Sequence, residues 1–387
     1  MDFELTDEQE QFRRTVHDWT EREAPKALAR ELERHEHEYP MQIWDGLAAA
    51  GFHGVGIPER YGGQGGDVIE QMLLARGLAR TLGGLGWVWG LSSFVGSKAI
   101  DDLGDEAQRA RFLPPLARGE MRYAIAFTEP DGGSDLFGAL RTEAKRVDGG
   151  WVLNGNKTWS TSAQVSDYLL TLARSGPAEP RRTDGLSAFL VPREAAGVTI
   201  SGLPKLGMRA LGACDVGLAD VFVDDDLLLG EAGAAWQMLL PALNNERIIV
   251  AALCVGVLDG VLEDAIAYTN DRRAFGRPIG GFQAIQHMVA DIAVWRAEAE
   301  HMVNHAAWLQ ATGRPCARET MMAKITCSEN AVKAADHGIQ ILGGMGYSAE
   351  TDMQRYWRDA RLWRIGPVTN EMVRNSLAVD LGLPRSF

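Results

Sequence analysis

A chain of 387 residues exceeds the roughly 250 residues at which single hydrophobic cores stop growing, so we expect two or three domains. Hydrophobic residues make up 46% of it, the mean hydropathy is -0.14 and the net charge is -13, a balance that argues against nucleic acid or an anionic membrane as a partner. Its four cysteines lack CxxC spacing and its acidic N-terminus resembles no signal or transit peptide, so we expect a cytoplasmic protein with buried thiols.

The first 120 residues predict an α-helical domain. Thr6 and Gln9 have the spacing of a capping box, an apolar face follows them, and Pro25 ends this first helix. The glycine-rich stretches 61–66 and 83–86 are predicted to be loops between further helices.

Residues 121–231 change character and predict a β domain. Short β-rich runs are separated by turn residues, and Asp148-Gly149 between two of them is a hairpin signal. The runs are YAIAF, TEAKRV, WVLNG, DYLLTLA, LSAFLV and VGLADVFV. Several short strands within one such region are typical of a barrel or a sandwich, and we predict a β-barrel.

Residues 232–387 are again helical. The stretch 248–268 is apolar nearly all round and too short in its most apolar part for a membrane span, which predicts a buried helix. Apolar residues between Ile285 and Trp295 form a helical stripe, and Gly343-Gly344 suits a C-terminal cap. The predicted fold class is therefore multidomain α+β: an N-terminal helical domain (1–120), a middle β-barrel (121–231) and a C-terminal four-helix bundle (232–387).

Several common enzyme signatures are missing from the sequence. The glycines of 61–66 do not form GxGxxG after a strand, and neither a Walker A lysine pattern nor a GxSxG elbow is present. His301 and His305 are spaced i, i+4 but lack the carboxylate of an HExxH motif, so we predict no metal site. The sequence therefore lacks the motifs expected of Rossmann, P-loop, hydrolase and metalloenzyme classes.

Five segments resemble the acyl-CoA dehydrogenase family of flavoproteins. They are FTEPDGGSD (127–135), LNGNKTWSTS (153–162), RRAFGRPIGGFQAIQ (272–286), IQILGGMGY (339–347) and YWRDARLWRIG (356–366). The resemblance extends over nearly the whole chain, in the same order of helical, barrel and helical domains. It implies that the protein binds FAD and acts as an oxidoreductase on CH-CH groups.

A flavin ring gains negative charge as it accepts a hydride, so it needs N–H and hydroxyl donors and an aromatic wall. The resemblance implies that Thr128 bonds the ring, Ser134 lies near the pyrophosphate, Trp159 stacks on the flavin and Thr161 bonds near N5. On this side of the cofactor the candidate residues are Phe127, Thr128, Gly133, Ser134, Trp159 and Thr161.

The resemblance also implies a site for the ADP half of FAD. Arg272 would be its cation, with Phe275 packing nearby, and Gln340 with Gly343 and Gly344 would come from the neighbouring subunit. That arrangement requires a homodimer or homotetramer. The candidate residues on this side are Arg272, Phe275, Gln283, Gln340, Gly343 and Gly344, and Thr369 with Glu371 would complete the cofactor site at the C-terminal signature. An electron-transfer flavoprotein is the implied electron acceptor, although a biosynthetic member could use oxygen.

The implied reaction removes the Cα proton of an acyl thioester, carried by coenzyme A or an acyl-carrier protein, and passes the Cβ hydride to flavin N5. It requires a carboxylate base. In many members that base is a glutamate before Gly-Thr in the C-terminal signature, but here Pro367 and Val368 take those positions. In isovaleryl- and long-chain-type members the glutamate stands in a Glu-Arg pair, as in NNERIIVAA, which predicts Glu246 as the base. The predicted substrate-binding residues are Ser134, Asn244 and Arg247.

A second class of function stays open because proline has neither a carboxylate nor an N–H group. The chain could be a related flavoprotein with other chemistry: an enoyl-thioester reductase, a desulfinase-like enzyme or a non-catalytic flavin binder. A replacement carboxylate favours the dehydrogenase, whereas a flavin that no acyl thioester bleaches favours the second class. A third alternative, a helical scaffold that binds no cofactor, would not require the segments around Thr128, Trp159 and Arg272.

Overall fold

The computed structural model describes residues 5–34, 39–90, 92 and 96–385, without the side chains of residues 240, 241 and 243. A helical region, a sheet region and a second helical region follow one another, which confirms the predicted order. The first region contains α1 (Asp7–Glu23), α2 (Lys26–Leu32), α3 (Met41–Ala49), α4 (Val68–Ala79), α5 (Gly83–Trp89), α6 (Ser97–Leu103) and α7 (Glu106–Ala117).

The sheet region contains the strands β1 to β8 and one short helix. They are β1 (Tyr123–Ala126), α8 (Leu136–Ala139), β2 (Glu143–Val147), β3 (Gly150–Thr161), β4 (Tyr168–Arg174), β5 (Leu186–Pro192), β6 (Val198–Leu203), β7 (Ala213–Asp224) and β8 (Leu228–Leu229).

The C-terminal region begins with the longest helix. Its elements are α9 (Ala235–Asp271), β9 (Arg273–Ala274), β10 (Arg277–Pro278), α10 (Gln283–Ala311), α11 (Ala317–Leu342), α12 (Gly344–Tyr347), α13 (Met353–Leu362) and α14 (Asn370–Asp380). Short 3-10 turns lie at Phe52–Gly54, Glu59–Tyr61, Ala163–Val165, Asp225–Leu227 and Ile279–Gly281.

Local sequence signals determine where α1 begins, but they do not determine where α5 begins. Thr6 and Gln9 form the predicted capping box of α1. The stretch 83–86, predicted as a loop, instead begins α5, so that prediction is wrong. A Cβ at Gly86 would collide with the side chain of Leu253 on α9, so the glycine lets the two helices approach closely. Tertiary packing therefore outweighs the poor helix propensity of glycine.

The sheet has the strand order β6-β7-β3-β2-β4-β5-β8, and β1 adds to it by parallel pairing with β4. Asp148-Gly149 turns β2 into β3, with Val147 paired to Gly150, as predicted. The predicted barrel does not close among the described strands, because β6 and β8 are the two ends of the order. In the described chain, the two-residue strand β8 pairs with β5 alone. The strands β6 and β8 were not predicted.

The C-terminal helices pack as a bundle around α9. Hydrogen bonds join Gln310 to Asn245 and Arg296 to Asp259, the latter at 2.9 Å, so α10 runs antiparallel to α9. The Cys327 thiol donates to the Ala299 carbonyl at 3.3 Å, in a register that also makes α11 antiparallel to α10. It follows that α9 and α11 run parallel to each other.

The middle of α9 is the most deeply buried helical stretch in this region. Apolar residues from Ile248 to Leu258 have no exposed surface, which confirms the predicted buried helix, and the four cysteines are buried free thiols. Within the described ranges, no helix combines the length and the apolar character that crossing a membrane requires.

Two buried carboxyl groups join the helical regions to the sheet. Asp359 on α13 accepts the Met208 N–H at 2.6 Å, and Glu33 accepts the Ala210 N–H at 3.1 Å while it pairs with Arg358 at 3.0 Å. Burial, together with the charge of Glu33, raises the pKa of Asp359 to about 7. This junction fixes the loop before β7 against α13.

Candidate active site

The loop that follows β1 is anchored by a buried ion pair. Lys157 on β3 and Glu129 are almost without exposed surface, and the ammonium lies 2.8 Å from the Glu129 carboxylate. Glu129 also accepts the backbone N–H groups of Arg141 at 2.6 Å and Thr142 at 2.8 Å. Lys157 further donates to the Phe127 carbonyl at 3.1 Å. The loop is therefore held rigidly at both of its ends.

The ion pair opposes the effect of burial on both pKa values, so both groups are largely charged near neutral pH. Burial lowers the pKa of Lys157 to about 8, against the attraction of Glu129. For Glu129 burial acts to raise the pKa, but the charge and hydrogen bond of Lys157 and the two N–H donors hold it below its ordinary value.

The loop brings Thr128 beside Trp159, near the end of β3. The Thr158 N–H donates to the Thr128 carbonyl at 2.9 Å. The pairing of β3 with β7 is irregular between Lys157 and Ser160, and Trp159 adopts a left-handed φ of 57°. As a result 59% of the tryptophan side chain is exposed instead of packing into the sheet. An exposed indole held in an unfavourable backbone conformation is suited to cover a planar ligand.

The remaining candidates on this side surround the same surface. Thr161 ends β3 and is half-buried, and Phe127 packs partly against the sheet core. Gly133 and Ser134 are exposed, and a Cβ at Gly133 would meet nothing within 4 Å. The loop continues to Phe137, whose ring packs edge-on against Trp236 at 4.4 Å, one residue inside the N-terminal end of α9.

Glu246, Asn244 and Arg247 lie together in the N-terminal half of α9. Arg247 donates to the side-chain oxygen of Asn244 at 3.1 Å, and Thr320 on α11 donates to the same oxygen at 3.4 Å. Burial raises the pKa of Glu246 to about 7, although the charges of Arg247 and Lys324 favour the ionised form. Among the described residues none donates a hydrogen bond to the Glu246 carboxyl, which leaves it available as a proton acceptor.

The segment that replaces the usual base is held by a buried lysine. Lys324 on α11 donates to the Val368 carbonyl at 2.7 Å and to the Asn370 side chain at 2.6 Å. Pro367 itself is exposed and follows a cis peptide bond. Thr369 caps α14 by accepting the Met372 N–H at 3.2 Å, and Glu371 in the first turn of that helix is exposed.

The predicted ADP-binding residues lie at the other end of the bundle. Arg272 directly follows α9, and the hairpin of β9 and β10 turns at Phe275 and Gly276, which both have positive φ as a type I′ turn requires. Phe275 exposes 95% of its side chain, and Arg272 is also exposed. Gln283 is exposed at the start of α10.

The end of α11 joins this group because α10 and α11 are antiparallel. Gln340 is exposed in the last turn, and Gly343 ends the helix with a φ of 60°, as the predicted cap requires. A Cβ at Gly343 or Gly344 would meet nothing within 4 Å, so their backbone faces open space.

The structure therefore brings the predicted residues together in two groups. At a rise of about 1.5 Å per residue, α9 separates Glu246 from Arg272 by about 39 Å. Thr128, Trp159 and Ser134 lie on the side of the N-terminal half of α9, because their loop reaches that helix through the contact of Phe137 with Trp236. The ADP group lies at the opposite end of the same helix, and one chain does not bring the two groups together.

A cationic groove adjoins the loop that carries Ser134. It has a volume of about 310 Å³ and is lined in part by Asp135, Arg141, Arg174 and Arg182. Arg141 donates to the Gly138 carbonyl at 2.9 Å. Burial and the charge of Arg141 lower the pKa of Arg174. Neither of these two guanidinium groups has a carboxylate partner within the described ranges, so the groove can accept an anion.

Several residues of this site were missed from the sequence. The pairing of Glu129 with Lys157 was not predicted, although both stand inside the quoted segments and a lysine in an otherwise apolar strand is a signal for a buried partner. Lys324 and the groove arginines were also missed. His301 and His305 are exposed, and no cluster of three metal-ligating side chains occurs in the part of the chain that the structure describes.

Comparison with known proteins covers almost the entire chain. Three family models match: the acyl-CoA dehydrogenase N-terminal domain over 6–120, the middle domain over 124–221 and the C-terminal domain over 233–381. A probable acyl-CoA dehydrogenase of Bacillus subtilis is 37% identical, over 98% of this chain and all of that protein.

Solved structures show the same three-region fold. Glutaryl-coenzyme A dehydrogenase in complex with glutaryl-CoA is 31% identical with a TM-score of 0.95, covering 100% of this chain and 98% of the other. A chain from a structure described as an electron transferring flavoprotein of Acidaminococcus fermentans is 30% identical with a TM-score of 0.93, covering 99% of this chain and 100% of the other.

Proposed function

This chain belongs to the acyl-CoA dehydrogenase family, FAD-dependent oxidoreductases that act on CH-CH groups of acyl thioesters, and we propose that Glu246 is its catalytic base. The observation that carries the proposal is the environment of this carboxyl: half-buried, raised in pKa to about 7 by partial loss of hydration and close to Asn244 and Arg247. A base of that pKa is well matched to proton transfer near neutral pH. Pro367 offers no carboxylate that could replace it.

The residues of the two groups fit FAD. Trp159 and Phe275 present exposed aromatic surface, and Gly133 and Gly343 leave open space beside their backbone, as the approach of a ring or a phosphate requires. When bound, FAD supplies the acceptor for the Cβ hydride. We propose that Thr128 and Thr161 hold the ring with their hydroxyl groups while Glu246 accepts the Cα proton.

Two identical subunits share each site in this proposal. The groups around Trp159 and Arg272 lie at opposite ends of α9, farther apart than one extended dinucleotide reaches. A two-fold axis that sets two bundles side by side would place the ADP group of one subunit against the ring group of its partner. We therefore keep the homodimer, or a homotetramer of two such dimers, as the functional assembly, with Arg272, Gln340 and Gly344 serving the partner's site.

We propose coenzyme A, rather than a carrier protein, as the acyl carrier. The groove beside Ser134 is lined by Arg141, Arg174 and Arg182, and the first two lack carboxylate partners among the described residues. Guanidinium groups bind phosphates through paired, charge-assisted hydrogen bonds. The phosphates of coenzyme A would fill such a groove, whereas the single phosphodiester of a carrier arm would leave part of it unmatched.

We also propose an electron acceptor and a cellular location. An electron-transfer flavoprotein is the proposed acceptor of the electrons, in line with the family. The cytoplasm is the proposed location, because four buried free thiols suit a reducing compartment.

The experiment is anaerobic mixing of the purified FAD-containing protein with a panel of acyl-CoA thioesters, with flavin bleaching followed by absorbance. Glu246→Gln keeps the size of the side chain and should retain FAD, while the rate of bleaching by a good substrate falls at least ~10²-fold. Glu263→Gln, on the exposed part of the same helix, is the control and should bleach at the wild-type rate. Wild-type bleaching by Glu246→Gln would remove the proposed base and favour other chemistry at this site.

A further inference from the structure

Three residues with left-handed backbone belong to the two segments that meet at the end of β3. Trp159 and Ser162 flank Thr161 in sequence with φ values of 57° and 62°, and Met208, in the turn 205–212 before β7, has a φ of 54°. None of them is glycine, so each adopts a sparsely populated conformation that persists only where its surroundings hold it. The strain at this place therefore depends on contacts from elsewhere in the fold.

A short series of backbone hydrogen bonds joins the two segments. The Ser162 N–H donates to the Gly212 carbonyl at 2.8 Å, and Thr161 pairs with the first residue of β7. The Leu211 N–H donates to the Met208 carbonyl at 3.0 Å, which closes the turn before that strand. The position of the end of β3 is therefore tied to the turn at Met208.

Asp359 on α13 holds this turn from the side of the helical regions. It is 1% exposed, and its Oδ1 accepts the Met208 N–H at 2.6 Å, while its Oδ2 is buried without a donor among the described residues. A Cβ at Gly207 would lie 2.5 Å from the Arg358 carbonyl oxygen, so the turn packs directly on the helix. Burying a carboxyl for one hydrogen bond is costly, which indicates that this bond has a role beyond filling space.

A second buried carboxyl holds the same turn from the end of α2. The Glu33 side chain accepts the Ala210 N–H at 3.1 Å through one oxygen, and its other oxygen lies 3.0 Å from the Arg358 guanidinium. Met208, Ala210 and Leu211 are almost without exposed surface, so water does not replace these bonds. The turn is thus fixed by carboxyl groups from other regions of the chain as well as by its own sheet.

We propose that Asp359 is a positioning residue for the flavin ring: it holds the turn at Met208, and that turn fixes the end of β3, from which Thr161 reaches the cofactor. The inference rests on the proposed placement of the ring beside Thr161 and Trp159. A carboxyl that does not touch the ring can act in this way, because catalysis is sensitive to displacements of about 1 Å in the bound geometry.

The test is a double-mutant cycle on the rate of anaerobic flavin bleaching, with both FAD and acyl-CoA saturating. Asp359→Ala frees the Met208 N–H, so the rate should fall about 10- to 100-fold and the absorbance bands of bound FAD should shift. In a Thr161→Val background the same change should alter the rate less than about 3-fold, because the group that it positions is already missing. Asp359→Asn keeps an oxygen for the Met208 N–H and should restore both the rate and the spectrum.

Asp352→Ala is the matched control for the loss of a buried carboxyl. Asp352 precedes the first residue of the same helix and pairs with Arg30 at 2.6 Å and with Arg355 at 2.7 Å, away from the turn 205–212. Its loss should lower the temperature of unfolding but leave the bleaching rate and the FAD spectrum unchanged. This variant separates a general loss of stability from an effect on the ring.

If Asp359→Ala does not fold, Glu33→Met takes its place in the cycle, because it frees the Ala210 N–H of the same turn and should act in the same direction. A wild-type rate and spectrum in the FAD-loaded variant overturns the inference, and so does an equal loss of rate with and without Thr161. If Thr161→Val itself keeps the wild-type rate and spectrum, the placement of the ring fails and the inference falls with it. Glu246→Gln tests the base independently of both.

Discussion

The two ends of helix α9 differ in how much of the candidate site one chain completes. At the N-terminal half, Glu246 is half-buried and Lys324 is buried among neighbouring helices. At the C-terminal end, Arg272 and Phe275 are exposed, and so is Gln340 on α11. Proton transfer needs a desolvated base, which one subunit can provide alone. Cofactor binding here uses exposed groups, which become buried only against the cofactor or a second subunit. The difference teaches that chemistry and cofactor binding can be disturbed independently.

The largest effect is expected from Lys157→Met, which breaks the buried ion pair that anchors the loop after β1. The change leaves the Glu129 carboxylate buried and unpaired, and loss of one partner of a buried ion pair costs about 3–5 kcal/mol. The free energy of unfolding, measured by chemical denaturation with tryptophan fluorescence, should fall by that amount, and FAD retention should fall with it.

Lys145→Met is the control for that prediction, because Lys145 pairs with Glu143 on the exposed side of the sheet region. Its effect should stay within about 0.5 kcal/mol. Equal stability of the two variants would show that the buried pair does not anchor the loop.

A smaller effect is expected from Arg272→Gln at the exposed end. Losing a charge-assisted hydrogen bond to a phosphate costs about 1.5–3 kcal/mol, so the apparent Kd for FAD should rise about 10- to 100-fold. With FAD in excess, the bleaching rate should match the wild type, because the base end is intact. Arg273→Gln, whose guanidinium donates to the Gly276 carbonyl within the hairpin, is the neighbouring control.

Mixing the two defective subunits sharpens the comparison. Glu246→Gln lacks a base but keeps its ADP group, and Arg272→Gln has the opposite defect. If each site combines two subunits, co-refolded mixtures at limiting FAD contain one intact site per mixed dimer and recover activity. No recovery in a mixture shown to contain mixed dimers would mean that each chain holds its own cofactor.

The smallest effect concerns Asp359, far from the exposed end. Its pKa is raised to about 7, so the folded state binds this proton more tightly than the unfolded chain does and loses stability as pH rises from about 4 to about 7. Asp359→Asn keeps an oxygen for the Met208 N–H and removes the titration. Relative to the wild type, the variant should therefore gain about 1–3 kcal/mol of stability as pH rises from 5 to 8. Thermal unfolding across this pH range checks the sign; a constant difference would contradict it.

Sequence periodicity was sufficient for the larger elements. The unbroken apolar stretch from Ile248 predicted the buried part of α9, and Asp148-Gly149 predicted the hairpin, because both signals are local. The open sheet was not predictable from strand count, since closure depends on which strands pair, and among the described strands β6 and β8 end the order without pairing to each other.

The candidate site depended on other kinds of information. Trp159 and Phe275 would be taken for core residues on hydrophobicity alone, and only the family resemblance marked them; their positive φ and exposure are visible only in three dimensions. Glu129 and Lys157 meet because the loop after β1 lies across β3. That arrangement cannot be inferred from one sequence. Lys324 stands in an ordinary helical pattern, and its neighbours come from distant segments.

Helix α5 has a consequence for how the chain is made. It is short and carries three glycines, each about 0.8–1 kcal/mol less favourable in a helix than alanine, so it is not stable by itself. It packs mainly against α4, which precedes it, but Gly86 also meets Leu253 on α9, which a ribosome synthesises more than 160 residues later. The face of α5 that meets α9 therefore stays uncovered during synthesis until α9 has emerged and docked, and that face is apolar surface that a chaperone could bind during the interval.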